Sequence, residues 1–228
     1  MPLRSDVIQR WWATTQSLDL VEGNADAVAS AIAAEVSRFV APEHVTSTSE
    51  TCLNLDSAFS IAKEFCNVPT VYLVLPTRST WTVLWNNSFL CDGYDSLCYC
   101  LTLHHRLTTL HWGANDETTT FQPSAHFCHR STKDAQLIER QVHIGVNDGK
   151  WSFFESGTAL SEEDTNQYRV RRKRERLNEE NLLQLLQRLG ASPWNEQFYS
   201  LPGDCFVIRR ASPPATVIRR SKDAVLRV

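Results

Sequence analysis

Apolar positions in the first quarter of the chain recur at helical spacing. In residues 24–40, Val28, Ile32, Val36, Phe39 and Val40 repeat over an alanine-rich background, and Pro42 ends the pattern. Leu55, Ala58, Phe59, Ala62 and Cys66 share a second such face, so the sequence predicts N-terminal helices within residues 24–67. The period then changes. Residues 71–75 are an apolar run between Pro69 and Pro76, and residues 80–85 follow a turn-like PTRS stretch, which predicts a hairpin. Trp81, Val83 and Trp85 alternate onto one face of its second strand, and Thr82 and Leu84 onto the other.

Further strand-like runs cover 107–112, 118–128, 136–146 and 151–154, with Asn147, Asp148 and Gly149 as a turn between the last two. Helical signals return at Ser161 with Asp164, and Asn178 precedes a broad stripe of Leu182, Leu183, Leu185, Leu186 and Leu189. Gly190 and Pro193 then stop that helix. The pattern predicts an α+β fold, an antiparallel meander flanked by helices. A single domain spans 1–210, with the sheet in 70–155, C-terminal helices in 161–190 and a last strand at 204–209. Residues 211–228 read as a basic, weakly structured tail.

Composition narrows the function classes. The chain has 228 residues, 42% hydrophobic and 21% charged, as expected of a globular protein with a core of its own. No stretch approaches the roughly 18 apolar residues that span a bilayer, and MPLRSDVIQRWW lacks the apolar region of a secretory signal. A cytoplasmic protein with no membrane association is expected. Seven cysteines, an odd number, fit no disulfide framework and are expected as free, mostly buried thiols. A net charge of -3 gives no basic footprint. The stretch RVRRKRER (169–176) follows the acidic SEED and reads as the solvated face of a helix, so nucleic acid is not an expected partner.

The segment WTVLWNNSFLCDGYDSLCYCLT (81–102) concentrates the candidate chemistry. Asp92 is placed to cap a helix on which Tyr94, Leu97, Cys98 and Leu101 face the core, with Asp95 in its first turn. Cys98 and Cys100, two apart on a helix, point in different directions and do not chelate together. Cys100 and His104 share a helical face, and His126 and Cys128 share a strand face. Were the pairs to meet, the four would make a tetrahedral zinc site; buried thiols and ordinary core or surface histidines are the alternative, and no CxxC pair is present. Cys98 or Cys100 would become a nucleophile only with His104, His105 or His111 beside it. Asp116 and Glu117 read as solvated loop carboxylates, and no P-loop, GxGxxG, GxSxG or HExxH pattern occurs. No cofactor is expected.

Seven tryptophans leave an aromatic surface as the remaining candidate, with Trp11 and Trp12 as one pair. Trp85, Asn86 and Asn87, ending a strand, can cluster with Asp92, Tyr94 and Asp95 at one sheet edge as a partner-binding set, since aromatic anchors with amide donors typify interfaces.

The motifs WTVLWNNSFLCDGYDSLCYCLT, LTTLHW, TTFQPSAHFCHR, WSFFESG and YRVRRKRERLNEENLLQLLQRLGASPWNEQFY together resemble a group of uncharacterised bacterial proteins, over residues 71–208. Through that group the chain is similar to immunity-type proteins of bacterial toxin systems. The resemblance implies a non-catalytic protein-binding module that neutralises a cognate toxin by occluding its active site; a Cys/His-dependent enzyme or zinc-binding module is the alternative.

Overall fold

The computed structural model describes residues 18–62, 64–89, 94–115, 122–211 and 217–220. Strands β1 (Asp19–Glu22), β2 (Val45–Cys52), β4 (Val71–Leu75), β5 (Trp81–Asn86), β6 (Thr109–Asn115), β7 (Ser124–Lys133), β8 (Gln136–Asn147), β9 (Lys150–Ser156) and β10 (Gly203–Arg210) form one sheet in the order β2-β10-β4-β5-β1-β6-β7-β8-β9. Every neighbouring pair is antiparallel. The expected α+β class holds. The β4–β5 hairpin and the β6–β9 meander are the ones the alternating pattern predicts.

Alternation divides the core in two. Leu20, Leu73, Trp85, Trp112, Phe127 and Val142 point to one face, which is covered by α2 (Leu55–Phe59), α4 (Glu179–Arg188) and the segment leading into α4. Val21, Val74, Leu84 and Ile208 point to the other, under α1 (Ala25–Phe39) and α3 (Tyr94–His105). Leu97, Cys98 and Leu101 are buried there as their spacing predicts. Asn24 caps α1 through the Ala27 N–H. Asn178 and Asn181 form a reciprocal box at the start of α4, and Gly190 leaves its end at φ +75°.

Several expectations are corrected. Region 24–67 contains β2, and its second amphipathic segment is helical only over Leu55–Phe59, with Cys66 in the short strand β3 (Phe65–Cys66). Residues 161–177 form turns and two short 3-10 segments, Gln167–Arg169 and Lys173–Glu175, so RVRRKRER is not on an α-helix. Within the basic tail, β11 (Arg219–Arg220) pairs with β3, and Arg219 Nη1 lies 2.8 Å from Glu64 Oε2. Trp11, Trp12, Asp92, Asp116 and Glu117 lie outside the described residues. No described helix is long and apolar enough to cross a membrane.

Candidate functional site

Strand register assembles the chemistry. Asp19 on β1 stands opposite His111 on β6, following the Leu20–Leu110 pairing. His126 on β7 is paired with His143 on β8, and His143 with Phe154 on β9. All point to the face that carries α1 and α3. Those helices pack over the sheet from β2 to β7, and among the described residues they leave β8 and β9 open on this side. The result is an open cleft of about 330 Å³ lined by Asp95, His111, His126, Cys128, Gln141, His143 and Phe154 among others.

The polar groups form a chain from core to solvent. Asp19 is fully buried, and His111 Nδ1 donates to its Oδ1 at 2.7 Å. The Cys98 thiol of α3 lies within hydrogen-bonding reach of the same carboxylate. On its other side, His111 Nε2 stands 3.2 Å from His126 Nε2. The His126 and His143 rings are 6.3 Å apart between centroids, and His143 is exposed.

Burial raises the Asp19 carboxyl pKa more than His111 lowers it. Burial alone would depress His111, but the charge and hydrogen bond of Asp19 outweigh it and raise the imidazole. His126 goes the other way, lowered to about 3 by burial and then by its two imidazole neighbours. It is therefore neutral, and its Nε2 can accept the His111 Nε2–H. Partial desolvation against the cleft floor also lowers His143, although its side chain reaches solvent. Such a row can bind a polar group, and the Asp19–His111 pair can hold or give up a proton beside it.

The two cysteines beside the cleft histidines are not poised as nucleophiles. Burial pushes Cys128 up to about 12, against the pull of Arg130, and holds Cys98 well above its ordinary value. Neither is a thiolate near neutral pH, and the thiolate is the reactive form. The six described cysteines are all free thiols.

The rim of the cleft is partly apolar. Phe154 is 53% exposed on β9, and Tyr99 is 41% exposed on α3, one helical turn beyond Asp95. Beside Tyr99, Arg130 is buried, paired with Asp95 Oδ1 at 2.7 Å and Glu139 Oε2 at 2.5 Å, with its guanidinium 6.0 Å from the Tyr99 ring centroid.

Compared with known protein families, curated proteins and solved structures, the chain shows no match.

The partner-binding set is the main correction at this scale. Trp85 is 0% exposed and makes edge contacts with Phe59 and Phe65. Asn87 is buried because its side chain does backbone work: Oδ1 accepts the Thr70 and Val71 N–H groups, while Nδ2 donates to the Glu64 carbonyl. Asn86 Oδ1 accepts the Ser88 N–H. These three side chains form no contact edge. Asp92 is outside the described residues, and of Tyr94 only the backbone is described. Among the described side chains of the set, Asp95 alone is exposed, on the cleft wall.

The alternative zinc set is also split. His126 and Cys128 share a face as predicted, but it is the cleft floor with His111 and His143. Cys100 and His104 share the other side of α3 and meet Glu35 of α1. Neither set includes Asp19, His111, His143 or Glu35. His111 and His143 alternate within runs read as strands, but only the register places them beside Asp19 and His126.

Proposed function

We propose that the protein is a stoichiometric binding module that seats a polar group of its partner in the imidazole cleft, beside the exposed ring of Phe154. The observation that carries this reading is the cleft itself: a hydrogen-bonding floor with the exposed ring of Phe154 in its lining, left open where the helices stop short of β8 and β9. Aromatic anchors around a polar pocket are the usual makings of an interface hot spot. Protonated cysteines support binding over thiol chemistry. The narrower reading, an immunity-type protein that blocks a toxin's active site, draws on the sequence resemblance. It uses the same surface, with a cognate toxin as the partner.

Calorimetric titration against the product of the gene adjoining its own tests this. One-to-one binding, weakened at least about tenfold by Phe154→Asp and by His143→Ala, supports the module. Binding unchanged by both substitutions removes the cleft as the contact site. No binding to that product removes the immunity reading.

The buried Asp19–His111 pair favours one second reading, acid–base catalysis on a ligand in the same cleft. Turnover of a partner-derived or small ester substrate, abolished by His111→Asn with binding retained, would establish it over simple occlusion.

A further inference from the structure

A second cluster lies across α3 from the cleft. Glu35 of α1 is 1% exposed, yet its Oε1 stands 3.0 Å from His104 Nδ1 and 2.9 Å from His105 Nε2. Cys100 Sγ, one turn before His104 on α3, joins them: the ligand atoms of Glu35, Cys100 and His104 all lie within 4.8 Å of one another.

The hydrogen bonding of this cluster does not close. Arg38 Nη1 is 2.6 Å from His104 Nδ1, the atom that also faces Glu35 Oε1. A guanidinium only donates, and a carboxylate only accepts. One ring nitrogen can donate to Glu35 or accept from Arg38, but it cannot do both. The other oxygen of the carboxylate, Oε2, is buried with no hydrogen-bond partner among the described residues. An orphaned buried carboxylate oxygen is costly unless something else satisfies it.

The geometry points to a divalent transition-metal site formed by Glu35, Cys100 and His104. One cation bound through Glu35 Oε2 would remove both anomalies: it satisfies the orphaned oxygen, and His104 Nδ1 then gives its lone pair to the metal and no longer has to serve Glu35 Oε1. Arg38, its side chain 55% exposed, can leave for solvent. His105 would stay hydrogen-bonded to Glu35 and fix the carboxylate from behind, as partners of metal ligands commonly do. A mixed sulfur, nitrogen and oxygen set suits zinc or cobalt and not magnesium or calcium. Three protein ligands leave a fourth position, on the exposed side of His104, for water or a ligand. On binding, the Cys100 thiol gives its proton to solvent and the thiolate sulfur takes the metal.

Cobalt(II) titration of the reduced, metal-stripped full chain tests the site, followed by displacement with zinc. One equivalent should produce tetrahedral d–d bands and a thiolate-to-cobalt charge-transfer band. The charge-transfer band should vanish in Cys100→Ser and persist in Cys128→Ser and His126→Ala, which separates this site from the cleft. His105→Gln should weaken binding about 10–100-fold. In the unsubstituted protein, one equivalent of zinc should slow maleimide alkylation at Cys100, mapped by mass spectrometry, so the test does not depend on any variant folding. Absence of saturable cobalt binding overturns the proposal. So does a charge-transfer band that survives Cys100→Ser, or alkylation of Cys100 that zinc leaves unchanged.

Discussion

His126 is held between His111 and His143, and its pKa of about 3 makes it a residue that folding keeps neutral. An unfolded imidazole protonates near its ordinary value of 6.5. Between those two values the unfolded chain therefore binds more protons at this position than the folded one. Stability from His126 is present above pH 6.5 and is lost as pH falls toward 3, with a slope of up to about 1.4 kcal/mol per pH unit. His143, also lowered, acts in the same direction. His111 opposes them, because its raised pKa favours the folded state at acid pH and that contribution fades as pH rises. Urea midpoints measured from pH 7 to pH 5 should fall in the wild type and fall less steeply in His126→Gln. Parallel slopes for the two proteins would show that His126 titrates normally in the fold.

Trp85 gives a second prediction at this scale. Its ring is fully enclosed beside Phe59 and Phe65, so Trp85→Ala leaves a large cavity in the core. The substitution should cost about 3–5 kcal/mol, and Leu97→Ala on the other face about 2–5 kcal/mol. Denaturant titration reads both. A Trp85→Ala protein with an unchanged midpoint would return that side chain to the surface, one of the two places the sequence allows it.

Among the elements, those with a clear period and explicit ends were the legible ones. Asn24 and the Val28–Ile32–Val36 spacing specify α1; Asn178, the leucine stripe and Gly190 specify α4. The meander follows from alternation and the turn at 147–149. β2 was hidden because VTSTSETC is polar on both faces; it is an edge strand with little to bury. β1 has only four residues, too few to display a period. Residues 161–177 carry helix-like charge but no apolar stripe, and there the chain is held by the buried ion pair of Arg140 with Glu163. The site was half legible for a related reason. Spacing pairs Cys100 with His104 and His126 with Cys128, but only strand register and helix packing bring Asp19, His111 and Glu35 to them. The capping at α4 can be tested directly. Asn178→Ala removes the acceptor for the Asn181 N–H and should cost about 0.5–2 kcal/mol, visible as a lower melting temperature with activity or binding unchanged. An unaltered melting temperature would mean that packing alone fixes the start of α4.

Across the whole molecule, the sheet is buried unevenly, and the function proposed for it depends on that. β1 is short, yet β5 and β6 flank it, Leu20 enters one core, Val21 the other, and both are fully buried. β2 is twice as long but lies at an edge, paired only to β10, with most of its side chains in solvent. β9 is the opposite edge and borders the open cleft. Opening free energy follows burial and hydrogen bonding and not strand length. Native-state amide exchange should therefore be slowest at Leu20 and Val21 and in β4 and β5, and much faster through β2 and β9. The cleft would then combine a rigid inner wall at β1 and β6 with a more readily opened outer wall at β9, which lets Phe154 adjust to an entering group while His111 stays fixed. If β9 exchanged as slowly as β1, that adjustment would be closed off, and the cleft would have to accept its ligand as a preformed pocket.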